Sequence, residues 1–279
     1  KKIYKLLIFL FILILSNNLL ASNSSSYLIS QSAFKNYDFT TVLHQFSNNN
    51  INFTEKNYLD KLISSTITIN NNLANKISNQ ILSKDPDNQE ARLVLMAINL
   101  SNNKQKDVLK FRKNTNKKKN ELIEFIFFID EKLKNKNEVS SSLIDIVKSA
   151  YASEISTYET SYNFLLFYSS LAILINPDND EAQFIRAQLF QIIEKYLQAE
   201  SGYLNIDESS DYYIDAQRSI AYNFTKIYEF NIAEKKIQQI IKKNNNNYLL
   251  KKILADFYRV EKKYSRAIEQ YNELIREDK

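Results

Sequence analysis

The residue types that carry catalysis are nearly absent from this sequence. It holds one histidine, His44, and no cysteine, so no nitrogen–sulfur set for zinc can be assembled. Its single glycine, Gly202, excludes glycine-rich phosphate loops, the dinucleotide fingerprint and the nucleophile elbow, each of which needs two or more. A calcium loop of the EF type fails for want of the glycine at its sixth position. The carboxylates Asp207 and Glu208 fall in a polar stretch with no apolar shielding to drive their pKa values apart, which acid–base catalysis requires. His44, beside Phe46 on a predicted helix, reads as a packed or surface imidazole. No enzymatic activity, metal or cofactor is expected.

What remains is recognition chemistry. Between Lys104 and Lys119 lie eight cations (Lys104, Lys106, Lys110, Arg112, Lys113, Lys117, Lys118, Lys119) against Asp107 alone. Such a run forms a solvated loop and helix end, or touches an anionic membrane or glycan. Tyr162, Phe164, Phe167 and Tyr168 form an aromatic cluster that, at helical spacing, reads as core rather than as a binding patch.

The elements that must position any binding group repeat. Ala187, Ala221 and Ala255 are spaced by 34 residues, and the same step relates Phe190, Phe224 and Tyr258, then Ala199, Ala233 and Ala267. Tyr203, Ile237 and Tyr271 keep it, as do Ile206, Ile240 and Leu274. That period belongs to a helix–turn–helix unit, and one unit cannot bury its apolar stripe without a neighbour stacked on it. Ala187 is placed where the first helix meets the second, and Ala199 lets the second approach closely. Two prolines and one glycine leave little material for hairpins, which favours an all-helical chain.

At these positions the chain resembles the tetratricopeptide repeat family, most clearly in Ala255, Tyr258, Ala267 and Tyr271. It departs in having no tryptophan and in carrying alanine for the family's glycine. The family's closing proline is kept as Pro86 and Pro177, but Asp211 and Asn245 stand there in later copies. The resemblance implies an all-α solenoid, a right-handed superhelix of stacked helical hairpins. It also implies a concave groove lined by first helices. There it places Glu181, Phe184, Gln188 and Gln191; Asp215, Arg218, Tyr222 and Thr225; and Leu249, Lys252, Asp256 and Arg259. Tyrosine, phenylalanine, arginine and carboxylates in such a groove suit a peptide or protein partner. Tyr222 and Asp256 depart from the basic, asparagine-lined clamp by which some members hold a C-terminal carboxylate.

Along the chain, residues 1–21 read as an export signal: Lys1 and Lys2, an apolar run from Leu6 to Leu15, then Ala21 and Ser22 at the cut. The run is short of the roughly 20 apolar residues that span a bilayer. Export to the periplasm is expected, with an uncleaved inner-membrane anchor as the alternative. Discounting the leader's three lysines lowers the net charge from +5 to +2, too weak to indicate nucleic acid. Residues 22–26 read as a linker and 27–175 as degenerate helical repeats, including one apolar helix from Asn120 to Leu133 buried on most sides. Residues 176–279 read as three repeats, truncated because no polar capping helix precedes Lys279. "KDPDNQEA" and "INPDNDEA" mark boundaries, each capping the next helix. The function expected is a non-enzymatic adaptor of the bacterial cell envelope. The rivals are the non-catalytic solenoid of a larger glycan-processing enzyme and a membrane-surface receptor.

Overall fold

The structure, a computed structural model, describes residues 25–48, 55–113, 121–129, 132–152, 159–245 and 247–277. The expected leader, and Lys117, Lys118 and Lys119 of the basic run, lie outside them. Among the described residues, no helix is long and apolar enough to cross a membrane. The chain divides into two compact units between Ile175 and Asn176.

The first unit opens with α1 (25–35) and α2 (Phe39–Asn48), joined through Ala33, Val42 and Phe46 with Phe34 against them. Four helices follow: α3 (Glu55–Ile67), α4 (Asn71–Lys84), α5 (Gln89–Ser101) and α6 (Gln105–Lys113), each packed on the one before it. Then come α7 (Glu121–Phe127), α8 (Lys136–Ala152) and α9 (Glu159–Ile175). Every residue of α9 from Leu165 to Ile175 is buried, because α3, α5 and α8 all pack against it. A helix that is apolar all round can only sit at such a centre.

Three expectations fail here. Residues 25 and 26 are no linker: they begin α1, where Ser26, Ser30 and Ala33 form a buried stripe at helical spacing. Small polar side chains look like linker in sequence, yet they fit where a neighbouring helix approaches closely. The single helix from Asn120 to Leu133 is replaced by α7 and a two-stranded antiparallel ribbon, β1 (Phe128–Ile129) and β2 (Lys132–Leu133), with Phe128 paired to Leu133. With the helix ended at Phe127, the apolar residues part company. Phe127 and Phe128 are buried, whereas Phe125 and Ile129 are 56% and 51% exposed. The aromatic cluster on α9 divides likewise, Phe167 and Tyr168 entering the core while Phe164 stays 40% exposed.

The second unit contains three helical hairpins: α10 (Asp180–Ile192) with α11 (Tyr196–Tyr203), α12 (Tyr213–Ile227) with α13 (Phe230–Lys243), and α14 (Tyr248–Val260) with α15 (Tyr264–Glu277). The alanines of the 34-residue step are all buried, as are Phe190, Phe224 and Tyr258. Tyr203 and Ile237 are buried too, and Ile241 is more deeply set than its neighbour Ile240. Gly202 faces Ala187: a Cβ on the glycine would stand 3.0 Å from the alanine Cβ. The sole glycine thus serves helix approach rather than a turn.

The turns use other residues. Tyr37, Ile69, Asn103, Glu194 and Lys262 sit at φ 56–61°, each just past the first helix of a hairpin. At each, the amide of the next residue returns to a carbonyl five residues back, as in Lys195 N to Phe190 O and Lys263 N to Tyr258 O, both 2.8 Å. This is the Schellman closure, made here without glycine. Asn88 and Asn179 cap α5 and α10 by accepting from the amides of Ala91 and Ala182, as the boundary strings require. Arg92 and Gln183 then donate to the Pro86 and Pro177 carbonyls, so the α5–α6 hairpin starts like the α10–α11 one.

Candidate functional site

In the second unit the first helices of the hairpins are spaced unequally. α12 and α14 pack closely against each other, whereas α10 and α12 approach less closely. The connection from α11 to α12 runs from Leu204 to Tyr212, against Asn244 to Asn247 between α13 and α14. The longer connection leaves a hollow of about 440 Å³ between α10 and α12.

Phe184, Gln188 and Gln191 of α10 line it on one side. Asp215, Arg218, Ser219 and Tyr222 of α12 line the other, and Ile253 of α14 reaches in. Their spacing by three and four residues sets each group on one helix face. The Phe184 ring lies 5.6 Å from that of Tyr203 and 5.2 Å from that of Tyr212, giving one wall an aromatic backing. Tyr203 donates its hydroxyl to Gln191 Oε1 at 2.8 Å. Burial pushes that phenol up to about 12, which keeps the donor protonated at neutral pH. Arg218 reaches Asp215 at 2.7 Å, so opposite charges on this wall are matched. Lys226 stands 5.2 Å from the centroid of the half-exposed Tyr222 ring. Deeper in the hairpin, burial pulls the Arg186 guanidinium down to about 10, with the Phe190 ring 5.1 Å away.

Of the residues expected to line a groove, the hollow brings together Phe184, Gln188, Gln191, Asp215, Arg218 and Tyr222. Glu181, Thr225, Leu249, Lys252, Asp256 and Arg259 do not line it. Thr225 donates its hydroxyl to the Tyr222 carbonyl at 2.7 Å, and Asp256 accepts from the Tyr271 hydroxyl at 2.6 Å with Arg259 at 3.5 Å. Ser219 and Ile253 went unrecognised in the sequence. They share one repeat position, four residues after Asp215 and three before Asp256, so the helical step from the expected groove residues would have found them.

The other sequence candidates are placed as follows. His44 lies exposed on α2. Glu208 pairs with Lys243 at 2.7 Å beside a polar hollow formed by the inter-hairpin connections, and the Ser209 hydroxyl holds the Asp207 carboxyl below the usual range. Within the basic run, Lys110 pairs with Asp107 at 2.7 Å, and Arg112 grips Glu124 by two bonds of 3.0 Å while its guanidinium lies 4.4 Å from the Phe128 centroid. Among the described residues, no group of three or more histidine, cysteine, aspartate or glutamate side chains is arranged to hold a metal.

No protein-family model matches the chain, and no curated protein matches it. Among solved structures it is similar to the crystal structure of the P58(IPK) TPR domain, at 13% identity over 92% of this chain and 93% of that one, with a TM-score of 0.26. The fold reading rests on the 34-residue step and on the packing of the hairpins that carry it.

Proposed function

We propose that the chain is a non-enzymatic interaction scaffold that receives a peptide or an extended protein segment in the hollow between α10 and α12. The observation behind this reading is the lining itself. Two aromatic rings and an isoleucine offer apolar area, while Gln188, Gln191 and Ser219 offer donors and acceptors suited to a peptide main chain. Proximity of apolar and amide groups, without a nucleophile or a shifted acid–base pair, supports binding over chemistry.

The leader-like residues 1–21 support export, and a periplasmic adaptor of the cell envelope is the role proposed. Sequencing the N-terminus of the mature protein tests the compartment; an intact Lys1 on soluble cytoplasmic protein would contradict it. Selection of a random peptide library on the immobilised chain tests the binding role. Enriched sequences sharing an apolar anchor are expected, and failure to enrich any peptide would contradict it.

A further inference from the structure

The surplus positive charge of the chain is gathered in one stretch of the first unit. From Lys104 to Glu138 eleven lysine and arginine residues stand against six aspartate and glutamate residues, a surplus equal to the whole chain's net charge of +5. Packing draws the described part of this stretch together. Near its end α6 is tied to α7 through Arg112 and Glu124, and just ahead of its start the Ser101 carbonyl accepts from Lys136 Nζ at 2.7 Å, so α6 runs beside the ribbon of β1 and β2. On α6, Lys106, the exposed Leu109 and Lys110 share a helix face. In the ribbon the register sets the exposed Ile129 opposite the exposed Lys132, while the buried Phe128 stands opposite Leu133. Lys134 continues the second strand, its amide donating to the Phe127 carbonyl at 2.8 Å. Its Nζ stands 5.2 Å from the centroid of the exposed Phe125 ring. Leu109, Phe125 and Ile129 are thus each accompanied by lysine.

We infer that this surface rests on an anionic lipid bilayer, with Phe125 and Ile129 entering the boundary of the acyl region and the lysines lying at headgroup level. The exposed apolar side chains argue for a bilayer, because a purely charged partner gives a phenyl ring and an isoleucine nothing to bury in. The type of cation argues for lipid over a ligand of fixed geometry. Arginine's planar fork suits a single phosphate or carboxylate, yet the one arginine of this stretch grips Glu124 and lies against the Phe128 ring. What remains is lysine, a point charge suited to a diffuse negative surface. Two carboxylates that would repel such a surface are matched, Asp107 by Lys110 at 2.7 Å and Glu124 by Arg112 at 3.0 Å. The contact is peripheral, made by side chains of a short helix and a ribbon, and it is independent of the hollow between α10 and α12.

The sequence has no tryptophan, so one placed in the ribbon reports from there alone. Full-length Ile129→Trp is mixed with vesicles of phosphatidylcholine and phosphatidylglycerol, and separately with vesicles of phosphatidylcholine only. Its emission is expected to shift to shorter wavelength with the anionic vesicles alone, and to lose the shift at about 0.5 M salt, where charges are screened within a few ångströms. Tyr222→Trp in the second unit is expected to show no shift, which separates docking of the ribbon from capture of the chain by its apolar residues 6–15. Adding Lys106→Glu and Lys132→Glu to Ile129→Trp should raise the lipid concentration at half-shift by about tenfold or more. Adding Phe125→Ser instead should raise it several-fold. Phe125→Trp is the parallel reporter should Ile129→Trp lose its helical circular dichroism. An unshifted ribbon tryptophan, an equal shift on neutral vesicles, or a folded charge-reversed variant that titrates like its parent would overturn the inference. A shift with soluble polyglutamate and none with the vesicles would also overturn it, assigning the surface to an acidic protein instead.

Discussion

Gly202 and Ala187 set the distance between α11 and α10, because a Cβ on Gly202 would lie 3.0 Å from the Ala187 Cβ. Both neighbours are fixed to backbone, so the strain of Gly202→Ala has no flexible side chain to absorb it. Overpacking of this kind costs about 1–3 kcal/mol, offset by the roughly 0.5–1 kcal/mol that alanine gains over glycine within a helix. Gly202→Ala is therefore expected to destabilise the second unit by about 1 kcal/mol in urea denaturation. Ala187→Gly added to it should restore part of the loss. A Gly202→Ala protein as stable as the parent would contradict this packing.

Ile69 holds φ 56°, a left-handed conformation that β-branched residues resist. Its side chain is 39% exposed, so little burial is forfeited on removing it. Ile69→Gly should raise stability by about 1 kcal/mol, and Glu194→Gly and Lys262→Gly by somewhat less. A higher midpoint in thermal unfolding checks each variant, and a lower one for Ile69→Gly would contradict the turn geometry.

Two phenols give the second unit a pH limit. Tyr203 and Tyr258 are both raised to about 12, chiefly by burial, and Tyr258 also donates to Glu234 at 2.6 Å. An unfolded tyrosine ionises near pH 10. Since the folded value is the higher, the stabilisation is fully present below about pH 10 and is lost as the pH rises towards about 12. Denaturation midpoints should fall across that window. The double variant Tyr203→Phe with Tyr258→Phe should show a shallower fall, lysine titration supplying the common background; an equal slope would count against the assignment.

Arg112 ties α6 to α7 through both Glu124 oxygens while its guanidinium lies over the Phe128 ring. Lysine can reproduce the charge but neither the fork nor the flat stack. Arg112→Lys should cost about 1 kcal/mol, nearly as much as Arg112→Ala. If lysine restored full stability, the fork would be immaterial and the pair a simple charge contact.

The repeat was legible because Ala187, Ala221 and Ala255 do the same mechanical task in each hairpin, and a small side chain at a helix crossing leaves a periodic trace. α9 was legible as well, since an unbroken apolar run admits no solvent face. The end of α7 was not: Phe128 and Ile129 suit helix and strand alike, and only the pairing of Phe128 with Leu133 decides between them. Ser26 was obscured by looking like linker. At the hollow, Phe184, Gln188 and Tyr222 followed from their place in the repeat, while Ser219 and Ile253 depend on how far α10 and α12 stand apart. That separation follows the length of the connection between α11 and α12, which the 34-residue step does not record.

The account turns on the hollow between α10 and α12 being where a partner segment binds. Calorimetric titration of a library-selected peptide into the full chain and into the Phe184→Ala, Tyr222→Ala double variant tests this directly. Loss of two aromatic anchors from the centre of a site should weaken binding by about tenfold or more, with the helical circular dichroism retained. Unchanged affinity in the folded double variant would contradict it.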